Sequence, residues 1–130
     1  EVRIACPKGY EPDPRIINKA KQIYQNSDLL TITNDLNRAV EGAKVLYTDV
    51  WSSMGEENQK VKKDKDFFGF TVDSNLIKKA SKDAIVLHCL PAYRDKEITD
   101  EVIDSEKSRI FEQAENRLHV QQALLTCLLS

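Results

Sequence analysis

Four short apolar runs, each followed by a polar stretch with helical spacing, constrain this chain more than any other feature. They are "VRIAC" (2–6), "LLTIT" (29–33), "VLYTD" (45–49) and "AIVLHCL" (84–90). Runs as continuously apolar as Ala84-Ile85-Val86-Leu87 suit strands buried on both faces, the property of a parallel sheet covered by helices. The intervening segments supply those helices. Residues 14–25, "PRIINKAKQIYQ", space their apolar side chains helically behind an Asp13 cap and a first-turn Pro14. Residues 34–43 open on an Asn cap and close near Gly42. A charged helix is expected over 53–68, a short one over 74–81, and two more over 97–104 and 113–129. This alternation predicts an α/β fold, a doubly wound, Rossmann-like parallel sheet flanked by helices.

Composition narrows the function classes. A chain of 130 residues holds one core. A net charge of -2 and a pI near 5.7 give no pull toward nucleic acid or an anionic membrane. Lys60, Lys62, Lys63 and Lys65 are interleaved with Asp64 and Asp66, as on a solvated helix face. No run approaches a membrane span and "EVRIACPKGY" does not have the pattern of a leader, so a cytoplasmic location is expected. Cys6, Cys89 and Cys127 form no C-x-x-C pair, so neither a disulfide framework nor a metal site is suggested. The four glycines make neither G-x-G-x-x-G nor a P-loop, which argues against a nucleotide-binding module. No cofactor is expected.

In doubly wound folds ligands bind in the crevice beyond the carboxyl ends of the strands. The positions to interrogate are therefore the strand exits: Cys6-Pro7, Thr33-Asn34, Asp49 to Gly55, and His88 to Pro91. Adjacent residues on a strand face opposite sides, so His88 cannot readily activate Cys89 as a nucleophile. A histidine hydrogen-bonded beneath the crevice is the better reading of His88, and Cys89 suits a small buried apolar role as well as a site role. At the other exit, "YTDVWSSMGEE", Ser53 and Glu56 form the S-x-x-E pattern of a capping box, which starts a helix at Met54. That leaves Asp49, Trp51 and Met54. A helix N-terminus attracts a carboxylate and a nearby aspartate an ammonium, so together they could hold an amino-acid zwitterion. Asp49 capping a turn, with Trp51 and Met54 packed on the crevice wall, fits the same pattern.

The combination of "DVWSSMG" (49–55), "HCLP" (88–91) and "AENR" (114–117), in this order and spacing, closely resembles the ornithine carbamoyltransferases over the whole chain. The resemblance implies a transferase of arginine metabolism that moves the carbamoyl group of carbamoyl phosphate to the δ-amine of L-ornithine, giving citrulline and phosphate. It implies that Asp49 and Ser53 meet the ornithine α-amino group, and that the Met54 N–H meets its carboxylate on a closing loop. Cys89, as the catalytic residue, and the Leu90 carbonyl would lie beside the reacting centre, contacting the carbamoyl group and the attacking amine. Arg117 would add a contact to carbamoyl phosphate. A lysine-like amine has a pKa of about 10.4, so holding it neutral at pH 7 costs roughly 3 to 5 kcal/mol unless the site desolvates it or removes its proton. A cis Leu90–Pro91 bond is expected, turning the chain so that the Leu90 carbonyl enters the crevice.

The S-T-R-T-R loop by which this family grips carbamoyl phosphate does not occur among Arg3, Arg15, Arg38, Arg94, Arg109 and Arg117. The chain therefore reads as most of the ornithine-binding domain, incomplete without an N-terminal portion and inactive alone. Its last helix, about 113–129, would pack on a carbamoyl-phosphate-binding domain, within what the resemblance implies is a homotrimer. The alternative is a non-catalytic amino-acid-binding or interaction domain.

Overall fold

The computed structural model describes residues 1–24, 29–53, 55 and 57–130. Its strands are parallel and flanked by helices, but they form two pairs instead of one sheet. Strand β1 (Val2–Ala5) pairs with β2 (Leu30–Thr33), and β3 (Val45–Thr48) with β4 (Ile85–His88). Each connection is long enough to carry the chain back for a parallel return. Helix α1 (Pro14–Tyr24) crosses from β1 to β2, and α2 (Leu36–Val40) leads on to β3. Between β3 and β4 lie α3 (Lys60–Asp66) and α4 (Ser74–Ile77). Two helices, α5 (Asp100–Ile103) and α6 (Ile110–Leu129), follow β4. Strands β1 and β3 line a common groove, with Arg3 and Ala5 on one side and 45–48 on the other, and do not pair across it.

The core belongs to the β3–β4 pair. Leu46 and Val86 enter it from the strands, Val40 from α2, Leu76 and Ile77 from α4, Val102 and Ile103 from α5, and Ile110 from the start of α6. Val86, Ile98, Val102 and Ile110 are at most 1% exposed. Burial of each such side chain contributes about 1.5 to 3 kcal/mol. The segment before α6 closes the outer edge of β4: Val86 N–H donates to Lys107 O at 2.8 Å and Arg109 N–H to Val86 O at 2.9 Å.

Several local expectations need correction. The cap of α2 is Asp35, whose carboxylate accepts from Asn37 N and Arg38 N. Asn34 instead donates its amide to Cys6 O at 2.9 Å, joining the exits of β1 and β2. Among the described residues the charged segment yields a 3-10 turn over Glu57–Gln59 and α3. Gly55, at φ 89°, lies in the left-handed region. Met54 and Glu56 themselves lie outside the described residues. The helix expected over 97–104 begins only at Asp100, because Glu97 and Thr99 are drawn into a short extended pairing with Val72. Helix α6 starts earlier than expected, at Ile110.

Candidate active site

The register of β3 and β4 builds the site. Thr48 pairs with His88, so the next residues out, Asp49 and Cys89, emerge side by side. The Cys89 thiol donates to Asp49 Oδ1 at 3.1 Å, and the same oxygen accepts the Val50 N–H at 2.7 Å. Burial pushes the Cys89 thiol up, and the Asp49 carboxylate adds to the rise. The sulfur therefore stays a thiol at neutral pH, a hydrogen-bonding group and not a ready nucleophile.

Beneath it, His88 is 1% exposed and held at three points. Its backbone N–H donates to Gln113 Oε1 at 3.1 Å, its Nδ1 accepts the Leu90 N–H at 2.8 Å, and its Nε2 meets Glu97 Oε1 at 3.2 Å. A ring nitrogen that accepts a backbone N–H carries no proton, so the hydrogen sits on Nε2 and is donated to Glu97. Glu97, also fully buried, accepts the Tyr93 N–H at 2.6 Å through the same Oε1. The bond from Leu90 N–H holds that residue at φ 57°, a conformation that costs a leucine about 1 to 2 kcal/mol. The Leu90–Pro91 bond is cis. His88 thus acts as the buried hydrogen-bonded histidine expected of it and fixes the turn that follows Cys89. Asp49, His88 and Cys89 bring an oxygen, a nitrogen and a sulfur within 4.8 Å of one another. Both imidazole nitrogens are already engaged, so the trio has no spare histidine lone pair for a metal ion.

A crevice of about 290 Å³ opens over these groups, lined by Asp49, Trp51, Ser53, Cys89 and Leu90. Lys60, Asp64, Tyr93 and Lys96 form its other wall. Lys96 bonds Asp64 at 2.7 Å, and the Lys60 and Lys96 ammonium groups lie 5.6 and 5.9 Å from the centre of the Tyr93 ring. The loop leaving β3 is anchored at its base by aromatic packing. Trp51 stacks on Phe67 with centroids 6.2 Å apart and donates Nε1–H to Phe70 O at 3.3 Å, while Tyr10 packs edge-on against Phe67 at 4.7 Å.

The fold therefore gathers Asp49, Ser53, Cys89 and Leu90 around one crevice. Met54 lies outside the described residues, and Arg117 stands apart on the exposed stretch of α6. Sequence reasoning missed Glu97, Gln113 and Tyr47. Glu97 sits in the charged stretch "RDKEITDE" and Gln113 in a helix of mixed character, where nothing local marks either as buried or bridging.

Comparison with known proteins gives a consistent answer. Residues 1–128 match the family described as aspartate/ornithine carbamoyltransferase, Asp/Orn binding domain. An ornithine carbamoyltransferase of Prochlorococcus marinus subsp. pastoris is 73% identical over 129 residues, covering 99% of this chain and 42% of that protein. Crystal structures of similar backbone include the anabolic ornithine carbamoyltransferase of Campylobacter jejuni, at TM-score 0.86 and 42% identity, covering 98% of this chain and 42% of that one. The ornithine carbamoyltransferase of Pyrococcus furiosus superposes with TM-score 0.86 at 46% identity, covering 96% of this chain and 40% of that one. The chain thus spans about two fifths of the length of these relatives.

Proposed function

Because the chain belongs to the Asp/Orn-binding domain family of the aspartate/ornithine carbamoyltransferases, we propose that it is the ornithine-binding part of an ornithine carbamoyltransferase. The observation that carries this reading is the Asp49–Cys89 contact at the exits of paired strands, in one crevice with Ser53 and Leu90. Asp49 supplies the negative charge for the ornithine α-ammonium, with Ser53 beside it, and the Met54 N–H meets the α-carboxylate. The other end of the substrate then points at Cys89 and the Leu90 carbonyl. The carbonyl accepts a hydrogen bond from the δ-amine N–H while the nitrogen lone pair attacks the carbonyl carbon of carbamoyl phosphate. A carbon–nitrogen bond forms, the bond from that carbon to the phosphate oxygen breaks with its electron pair going to that oxygen, and the proton lost by the amine leaves on the departing phosphate. Once Asp49 takes the α-ammonium, the thiol beside it can turn its one hydrogen from that carboxylate to the carbamoyl group without adding a charge to the crevice. Arg117 is a contact for carbamoyl phosphate once α6 is covered.

A separate carbamoyl-phosphate-binding domain is part of this reading. The chain exposes 9463 Å², against about 7,000 Å² for a compact monomer of its mass. Much of the excess is apolar: Leu118, Leu124, Leu125, Leu128 and Leu129 of α6 are all more than half exposed. That surface supports the last helix packing on further protein, and a strand entering the groove between β1 and β3. Assembly as a homotrimer and a cytoplasmic location belong to the same proposal. Among the described residues no helix is long and apolar enough to cross a membrane.

Complementation tests the reading. Citrulline formation is measured for this chain before and after addition of a separately expressed carbamoyl-phosphate-binding domain, and activity is expected only in the mixture. Turnover by the chain unaided would overturn its incompleteness. Ornithine binding without turnover in a properly assembled mixture would favour a non-catalytic amino-acid-binding domain. In the assembled enzyme, Asp49→Asn should weaken ornithine binding about tenfold to a hundredfold while sparing carbamoyl phosphate, as expected for a lost charged hydrogen bond.

A further inference from the structure

Besides the core packing of Ile110, a polar side chain of helix α6 ties it to both β3 and β4. Gln113, half-buried in the first turn of α6, accepts the His88 N–H of β4 at its Oε1, at 3.1 Å. Its Nε2 donates to the Tyr47 hydroxyl of β3 at 3.0 Å. Both ends of one amide are thus committed to two different strands. A glutamine present only for helix propensity would need neither bond.

The strand geometry gives the bridge its consequence. Tyr47 lies two residues before Asp49, on the same face of β3. A hydroxyl has a single hydrogen, and one that accepts from Gln113 keeps that hydrogen for another partner. The register of β3 and β4 sets Cys89 beside Asp49 on that face, so the sulfur is within the reach of a turned Tyr47 hydroxyl, and a hydrogen directed at it favours the thiolate against burial and Asp49. Arg117 follows Gln113 by four residues, one turn along the same helix face.

We propose that Gln113 is a positioning residue that keys the helix carrying Arg117 to the Asp49–Cys89 pair and turns the Tyr47 hydroxyl toward the sulfur. The inference rests on the carbamoyltransferase reading for its catalytic meaning, but its geometry can be tested separately. The charged and titratable groups around Cys89 are Tyr47 from β3 and Asp49 just after it, and, lining the same crevice, Lys60 and Asp64 from α3 with Tyr93, Lys96 and Glu97 from the segment after Pro91.

The test uses the full-length protein and follows alkylation of Cys89 by iodoacetamide across pH, with peptide-resolved mass spectrometry separating it from Cys6 and Cys127. Gln113→Glu keeps an acceptor for the His88 N–H but places a carboxylate where the amide donated, so the Tyr47 hydrogen turns away from the sulfur. The alkylation rate at mildly alkaline pH should fall about threefold to tenfold, the equivalent of one hydrogen bond. Tyr47→Phe, at an exposed position that tolerates the change, should give the same fall, and Gln113→Glu on top of it should add nothing. In citrulline formation Gln113→Glu should lower kcat more than it raises KM for ornithine. An unmoved profile in Tyr47→Phe, or an equal effect of Gln113→Glu with and without the hydroxyl, would overturn the inference. Failure of the unsubstituted enzyme to make citrulline would instead defeat the functional reading, and the thiol profile would still decide on Gln113.

Discussion

The two strand pairs of this chain have nearly the same length and the same parallel geometry, yet only one of them has a core. Leu46 of β3 and Val86 of β4 are buried, Val86 completely, and helices α2, α4, α5 and the start of α6 close over them. No residue of β1 or β2 reaches that state, and α1 leaves Ile16 and Ile23 at 63% and 66% exposure. The candidate site sits at the exits of the buried pair. A crevice needs its groups held to within fractions of an ångström, and close packing supplies that rigidity where solvated strands do not. The half that looks equally regular in sequence is the one that lacks a cover.

The largest way to break this comparison is truncation in each half. Ile98→Ala should cost about 2 to 5 kcal/mol of unfolding free energy, as cavity formation in a packed core does. Ile16→Ala should stay within about 0.5 kcal/mol, as at an exposed site. Denaturant titration of the assembled protein measures both, and equal losses would mean that the two halves are packed alike.

A somewhat smaller effect is expected beneath the crevice. Glu97→Leu removes the acceptor for His88 Nε2–H and the Tyr93 N–H, and leaving buried donors unmade costs about 1 to 3 kcal/mol. Breaking the exposed Asp13–Arg15 pair at the head of α1 should leave the unfolding midpoint in place. A midpoint insensitive to Glu97→Leu would remove the argument that His88 is locked.

Amide hydrogen exchange sharpens the contrast without substitution. The 85–88 amides should exchange most slowly and those of 2–5 and 30–33 faster, because local opening follows the density of buried contacts. Uniform protection across both pairs would contradict the division.

The smallest effect is in pH. Burial raises the Cys6 thiol, and burial with Asp49 raises that of Cys89. A value raised in the folded state means stabilisation that is fully present below the ordinary thiol range and is lost as pH rises through the shifted values. The unfolding midpoint should therefore decline on the alkaline side of pH 9.0, the ordinary thiol value here, and Cys6→Ala and Cys89→Ala should each flatten part of that decline. A decline unchanged in both variants would assign it to other groups.

The amino-acid sequence alone determined the alternation of strands and helices, the four strand exits and the presence of Asp49 and Cys89 at two of them. Those features follow from local periodicity and from the few residues on either side. It also marked Ser53 and Leu90 through their motifs, while the helix start that Ser53 and Glu56 suggested falls on Met54 and Glu56, outside the described residues. Only the tertiary structure decided that the strands form two pairs, because pairing depends on what fills the groove between β1 and β3. The contact of Cys89 with Asp49 joins residues forty apart, and that of Gln113 with Tyr47 residues sixty-six apart. Such contacts depend on strand register and on the docking of α6. For the same reason the proton position on His88, set by Leu90 on one nitrogen and Glu97 on the other, came from the folded backbone: a residue's neighbours in space, not in sequence, decide which of its polar atoms are engaged.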